Sequence, residues 1–157
     1  MCSACLAQLV NVIAPIKTEP GGPAWREATF YPFAATARNA RGESVPLSIE
    51  GPTLATPTHG EVCAIDAVAT VSDGTHASLF AVNRHPSQSV ELLLDLADDR
   101  TVELLEADVL AGPDVHATNV MEHPDRVSPS PLDGSDGAVL RLQLPPVSWV
   151  HANLALG

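Results

Sequence analysis

The sequence predicts a mainly β protein, an antiparallel β-sandwich that follows a short segment of different character. Fourteen of the 157 residues are proline, about twice the usual share, and proline is disfavoured inside helices and central strands. From Val45 onward, short runs of β-branched and apolar residues alternate with turn residues about every eight to twelve positions, which is typical of an antiparallel sandwich. The length fits one domain with a single core.

Residues 1–42 precede this pattern and predict a strand or short helix, a loop and then a helix. The opening stretch CSACLAQLVNVIAPI is apolar, and KTEPGGPAW reads as the loop. Pro32 falls in the first turns of the predicted helix, where a missing N–H is tolerated, and Gly42 follows its basic last turn as a stop. The helix itself is predicted by apolar residues at helical spacing: Phe30, Phe33, Ala34 and Ala37.

The sandwich portion contains one clear hairpin. Val62–Val71 and Ala77–Asn83 flank Ser72-Asp73-Gly74, and an Asp-Gly pair between two apolar runs predicts a tight turn. Residues 119–136 are rich in turn residues and predict a long loop. Further strands are predicted at Ser89–Leu96, Thr101–Ala111, Gly137–Leu144 and Val147–Leu156. Residues 102–110 also contain good helix formers, so a helix remains an alternative there.

The net charge and the number of cysteines limit the partners and the cellular location that can be expected. Eight basic and nineteen acidic residues give a net charge of −11, which disfavours nucleic acid and anionic membrane surfaces as partners. No apolar run reaches membrane-spanning length and no export signal is visible. Three cysteines are an odd number for a disulfide scaffold, so a reducing, cytoplasmic location is expected.

No metal site or cofactor is predicted. Cys2 and Cys5 form a CxxC, but Cys63 and the scattered histidines supply no second pair of ligands, so buried free thiols are the simpler interpretation. The six histidines show no paired spacing and are interpreted as surface residues. They are His59, His76, His85, His116, His123 and His151.

The carboxylates also have ordinary interpretations. Asp133 and Asp136 stand in DGSDG, which lacks the alternating ligands of a calcium loop and reads as a turn. The remaining neighbouring acids are interpreted as solvated, namely Asp98 with Asp99 and Glu103 with Glu106. No catalytic-serine elbow, phosphate-binding loop or dinucleotide fingerprint occurs.

Three residues near the start suggest sugar binding. Gln8 and Asn11 carry amides, which donate to and accept from hydroxyl groups, and Trp25 lies on a Gly-Gly-Pro loop where an indole can cover a sugar ring. Structural hydrogen bonding and a core tryptophan are the alternative interpretation.

The run CLAQLVNVIAPIKTEPGGPAWREATFYPFAATARNARG resembles the last barrel segment of the intracellular α-L-arabinofuranosidases of glycoside hydrolase family 51. AIDAVATV, SLFAVNRHP, ATNVMEHPDRVSP and LPPVSWV resemble later stretches of the same family, so nearly the whole chain is covered. The resemblance implies that residues 1–42 are the last strand and helix of a (β/α)8 TIM-type barrel and that residues 43–157 are a C-terminal jelly-roll β-sandwich.

The resemblance also implies a division of labour. Family members are retaining enzymes that release terminal arabinofuranosyl residues from arabinan or arabinoxylan with two glutamates, both upstream of residue 1, so we expect this chain to be an inactive C-terminal fragment with no catalytic residues of its own. Gln8 matches a glutamine that hydrogen-bonds arabinofuranose in the family, and Trp25 is expected to line the same subsite. Expected partners are arabinofuranosyl oligosaccharides, the rest of the barrel and further copies in a homo-oligomer.

A different class of function remains open, a free-standing carbohydrate-binding sandwich without catalysis. Such modules usually display an aromatic platform, whereas the predicted sandwich contains only Phe80 and Trp149 as aromatic residues of the Phe, Trp and Tyr type. Trp149 lies among valines on the last predicted strand, which favours a place in the core.

Overall fold

The computed structural model describes residues 4–96, 100–135 and 137–157. In this part of the chain, one helix stands among short strands. The elements are β1 (Ile16–Thr18), β2 (Ala24–Arg26), α1 (Phe30–Asn39), β3 (Glu43–Val45), β4 (Thr53–Thr56), β5 (Gly60–Cys63), β6 (Ile65–Ser72), β7 (His76–Asn83), β8 (Val90–Asp95), β9 (Val102–Ala111), β10 (Ser130–Pro131), β11 (Gly134–Ser135), β12 (Val139–Leu144) and β13 (Ser148–Leu156). The prediction of a mainly β protein is confirmed.

Two antiparallel sheets enclose the core. The larger has the order β10-β9-β13-β7-β6-β3, and the smaller has the order β11-β12-β8. Leu79 and Leu154 from the larger sheet pack in one buried cluster with Leu140, Leu142 and Leu144 from the smaller. The three leucines of β12 occupy alternate strand positions, so their side chains point to one face and the residues between them point to the other.

The predicted strands of the sandwich are confirmed, with shifts of one to three residues at their ends. β6 and β7 form the predicted hairpin, with Ser72 opposite His76 and with Asp73 and Gly74 both at positive φ. Residues 102–110 form a strand rather than the alternative helix, because β9 is paired between β10 and β13 and buries Val102, Ala107 and Val109. Packing therefore overrides the local helix propensity.

The prediction for the opening stretch is wrong. Residues 4–15 form neither a strand nor a helix, and the first strands instead lie within the predicted loop as the hairpin β1–β2. Within the described residues, no other strand pairs with the opening stretch. Gln8, Asn11 and Val12 adopt positive φ angles, which bends the backbone away from an extended path. The expected barrel strand is therefore not evident.

The helix is confirmed. It runs from Phe30 to Asn39, and Pro32 sits in its first turn as expected. Gly42 follows it with a φ of +79°, and a Cβ at this position would collide with the carbonyl of Val71. Glycine is therefore required where the chain passes from the helix into β3.

Residues 112–129 form a long loop between β9 and β10 that contains the buried Asn119. The predicted loop ended at Asp136, but the short strands β10 and β11 interrupt it, and Asp136 itself lies outside the described residues. In the described ranges, no helix is both long and apolar enough to cross a membrane.

Candidate functional site

The three residues predicted to bind sugar lie on the β1–β2 hairpin or on the segment that leads into it. Asn11 is bonded to this hairpin. Its side-chain amide donates to the Thr18 hydroxyl at 3.0 Å, and its oxygen accepts the Thr18 N–H at 2.8 Å. Because both ends of the amide are occupied, Asn11 has a structural role, as the alternative interpretation held.

Gln8 is in a different situation. It is exposed, has a φ of 60°, and its side chain makes no hydrogen bond to another described residue. Its amide is therefore available to a ligand or to another part of a larger protein. A non-glycine residue at positive φ is uncommon and costs some backbone energy.

Trp25 lies in β2 opposite Lys17 and is half-buried. Its indole nitrogen is enclosed and has no hydrogen-bond partner in the described structure. The N–H group is therefore shielded from solvent, although the residue as a whole is only half-buried. No hydrogen bond joins Trp25 to Gln8 among the described residues.

An exposed apolar surface surrounds this region. Leu9 and Val12 are each 77% exposed and Ile13 is 71% exposed. Val12 also has a φ of 50°, which is strained for a β-branched residue. Contiguous exposed apolar side chains are typical of contact surfaces in folded proteins. We name residues 6–13 the apolar segment.

The hairpin is joined to the sandwich through Asn119. The side-chain nitrogen of Asn119 donates to the carbonyl of Arg26 at 2.8 Å and to that of Val127 at 2.9 Å. Its oxygen accepts the N–H of Val127 at 2.7 Å. Asn119 is 2% exposed. The sequence analysis did not single out Asn119, because it is one of many polar residues in the predicted loop.

A second candidate site is a cleft between α1 and the outer face of the larger sheet, with a volume of about 360 Å³. Helix α1 is fixed there by Ser78, whose hydroxyl donates to the carbonyl of Asn39 at 2.9 Å. The floor carries Trp149 and His151, and Arg26 and Arg38 line the opposite wall. Two carboxylates, Glu106 and Asp108, lie on neighbouring β9.

His151 contradicts the prediction of surface histidines. It is 3% exposed, its ring stacks on Phe80 at 5.0 Å between centroids, and its Nε2 has no partner among the described residues. Burial lowers the pKa of His151, while a hydrogen bond with Asn153 and the nearby carboxylates oppose that shift. Burial therefore favours the neutral form of the His151 ring.

The other cysteines and acids considered in the sequence fall into different positions. Cys5 is exposed, so its interpretation as a buried thiol is wrong, and Cys63 is half-buried. Cys2 and the acids Asp98, Asp99 and Asp136 lie outside the described residues. Among the residues that the structure describes, no three His, Cys, Asp or Glu side chains gather in a way that could hold a metal ion.

Comparison with known proteins places these features in a family. The model of the α-L-arabinofuranosidase C-terminal domain matches residues 2–148. The chain belongs to this family. The intracellular exo-α-(1→5)-L-arabinofuranosidase of Streptomyces lividans is 44% identical over 149 residues, covering 93% of this chain and 22% of the relative. The exo-α-(1→6)-L-arabinofuranosidase of Bifidobacterium longum is 42% identical, covering 97% of this chain and 30% of the relative.

Solved structures agree with this assignment of the C-terminal domain. A family 51 α-L-arabinofuranosidase from Bifidobacterium longum superposes with a TM-score of 0.87 at 42% identity, over 95% of this chain and 30% of that one. The family 51 arabinofuranosidase from Xanthomonas axonopodis pv. citri gives 0.79 at 25% identity, over 94% and 30%. The chain thus spans less than a third of the length of these relatives.

Proposed function

We propose that this C-terminal domain serves a retaining α-L-arabinofuranosidase that releases terminal arabinofuranosyl residues from arabinan or arabinoxylan oligosaccharides. The observation that carries the proposal is the family match over residues 2–148. It is supported by relatives named as exo-acting arabinofuranosidases, which share 42 to 44% of their aligned residues with the chain. We also propose a cytoplasmic location, which is supported by relatives named as intracellular.

We propose further that residues 1–42 complete a (β/α)8 barrel and that residues 43–157 form its C-terminal jelly-roll companion. The apolar segment supports this division, because Leu9, Val12 and Ile13 are more than two-thirds exposed and a barrel strand would bury such side chains between its neighbours. In the barrel, this segment would become a paired strand. The outer face of the larger sheet and α1 would then lie towards the barrel.

The chain by itself is proposed to be inactive. Retention at a sugar carbon requires two carboxyl groups about 5 to 5.5 Å apart, one as nucleophile and one as acid and base. The acids of the proposed barrel portion are Glu19 and Glu27, and neither lies in a motif that resembles those of the family's catalytic pair. The isolated chain should therefore release no product from an aryl α-L-arabinofuranoside.

Gln8 and Trp25 are proposed to line the sugar subsite. Gln8 offers a free amide that can donate to one hydroxyl and accept from another, and Trp25 offers a ring face against the apolar side of the sugar. In the proposed barrel, Gln8 would lie on the last strand and Trp25 on the loop that follows it, and active sites of such barrels are built at that loop face. We propose that their contribution is to hold the sugar rather than to transfer protons.

The test is a chimaera in which this chain replaces the corresponding part of the Bifidobacterium longum relative, which is 42% identical. We expect the chimaera to hydrolyse the aryl arabinofuranoside and Gln8→Ala to lower kcat/KM by about 10- to 100-fold, the loss of one or two hydrogen bonds to substrate. Gln143→Ala is the matched control, because Gln143 is exposed on β12. Equal kcat/KM values for the two variants would refute the role of Gln8.

The rival function, a free-standing carbohydrate-binding sandwich, has little support from the geometry. Trp149 is half-buried, and its ring packs beside those of Phe80 and His151 at centroid distances of 6.2 and 6.3 Å, which favours a structural role for it. Titration calorimetry of the isolated chain with arabino-oligosaccharides should give no saturable heat.

We propose that further copies of the enzyme form a homo-oligomer, which sedimentation of the chimaera would test.

A further inference from the structure

The β1–β2 hairpin is too small to fix its own position. It contains only three residue pairs, from Ile16–Arg26 to Thr18–Ala24, and an isolated two-stranded hairpin of this size is marginal in water. Residues 4–10, which precede it, are exposed, and only Ala14 next to the hairpin is fully buried among the described residues before β1. Contacts made by the end of β2 therefore help to set the position of Trp25 relative to the sandwich.

Asn119 provides such a contact. It lies 93 positions away from Arg26 along the sequence, yet its amide N–H donates to the Arg26 carbonyl at 2.8 Å. The same amide also donates to the carbonyl of Val127 and accepts the N–H of Val127, and Val127 is itself buried. An amide with two donated bonds and one accepted bond in a buried site has a single orientation available. Asn119 thus fixes the carbonyl next to Trp25 in a defined place.

The side chain must be an amide to do this. Both of its donated bonds go to carbonyl oxygens, so an ionised carboxylate of the same shape would face two acceptors and keep only the bond from the Val127 N–H. A leucine or an alanine would leave all three backbone groups without this partner. A side chain of similar shape that lacks the amide therefore cannot replace Asn119.

We propose that Asn119 is a positioning residue, which orients the Trp25 hairpin and so connects the sandwich to the sugar subsite. This inference rests on the proposed function only for the statement that Trp25 lines that subsite. The positioning itself is a property of the chain and can be measured without substrate. It gives the sandwich a role in arranging the active site in addition to packing against the barrel.

The matched control is Asn83. It is equally buried, at 1% exposure, and its amide also donates to backbone carbonyls, those of Gln88, Leu144 and Pro145. All of these groups belong to the sandwich. Asn119→Asp and Asn83→Asp therefore remove the same kind of interaction, but only the first touches the hairpin.

The first readout is hydrogen exchange followed by mass spectrometry on the full chain. We expect Asn119→Asp to speed exchange at least tenfold in peptides covering residues 16–27, and Asn83→Asp to do so around residues 83–88 and 144–148 while leaving the hairpin unchanged. Asn119→Ala is the second variant and should give the same regional pattern. Equal exchange in the hairpin for Asn119→Asp and the unmodified chain would overturn the proposal, as would the same pattern for both aspartate variants.

The second readout reports Trp25 directly. In chains labelled with 5-fluorotryptophan, Trp149→Phe assigns the two fluorine resonances, and Asn119→Asp should shift or broaden the Trp25 signal while Asn83→Asp leaves it in place. An unmoved Trp25 signal would overturn the proposal. In the chimaera, Asn119→Asp should lower kcat/KM about tenfold at a temperature where both aspartate variants are folded. If Trp25→Ala leaves kcat/KM unchanged, the subsite fails but the positioning result still stands.

Discussion

Truncation of Leu142 to alanine tests the two-sheet core most sharply. Leu142 is 1% exposed on β12, in the cluster that joins both sheets. The change removes three buried carbon groups at about 0.8 kcal/mol each, close to 2.4 kcal/mol. The cavity that remains raises the expected loss to about 3 to 4 kcal/mol. That is a large share of the stability of a domain of this size.

Leu93→Ala is the matched control on the paired strand β8. Leu93 lies opposite Arg141, one position from the Leu142–Leu92 pair, and is 52% exposed. The same substitution there should cost less than about 1 kcal/mol, because its side chain stays largely in water. Urea unfolding followed by far-UV circular dichroism measures both losses, provided that the slope with denaturant is unchanged. Equal losses at the two leucines would refute the assignment of inner and outer faces.

Three further predictions concern pH, backbone and surface. Burial lowers the pKa of His151 in the folded chain, so the free energy of unfolding should fall as pH drops below about 6.5 towards the folded pKa. His151→Gln should flatten that dependence in urea unfolding at pH 7.5 and 5.5, and an unchanged slope would contradict it. Gly42→Ala should lower Tm by at least about 5 °C, because its Cβ meets the Val71 carbonyl; an unchanged Tm would show that the backbone relaxes freely. Leu9→Ser combined with Ile13→Ser should reduce concentration-dependent association of the isolated chain in sedimentation velocity with little change in Tm, since both side chains are more than 70% exposed. Undiminished association would place the contact surface elsewhere.

Local patterns predicted the sandwich well because its signals are contained in short stretches. The turn at Asp73 and Gly74 is one example, since both residues adopt the positive φ that a tight hairpin requires. The alternation of leucine with Arg141 and Gln143 in β12 is another, because it separates the buried face from the exposed one. The order of the strands within the sheets carried no comparable signal, since it depends on contacts between distant segments.

The opening stretch shows the opposite case. Its apolar residues predict a strand, but a strand needs neighbours for its N–H and C=O groups, and none pairs with it among the described residues. Instead, Asn11 bonds to Thr18 and turns the chain into the short hairpin. Sequence reasoning can identify an apolar stretch, whereas the partner that buries it must come from the rest of the fold.

The candidate site was predictable only in part. Gln8 and Trp25 could be put forward as sugar-binding residues because amide and indole groups have a recognisable chemistry with sugars, and that role stays a prediction. Asn119 and His151 were missed because their roles depend on burial and on partners far away in the sequence, such as Arg26 and Phe80. Long-range contacts of this kind leave no fixed spacing that a single sequence would show.

The most direct test of the account is the rate at which the purified chain alone releases product from an aryl α-L-arabinofuranoside. We predict a rate equal to that of buffer at any chain concentration, because under the proposed function the two facing carboxylates that the reaction needs belong to the rest of the barrel. Saturable release that disappears in a Glu27→Gln variant would contradict the central claim. It would mean that the domain carries catalytic machinery of its own.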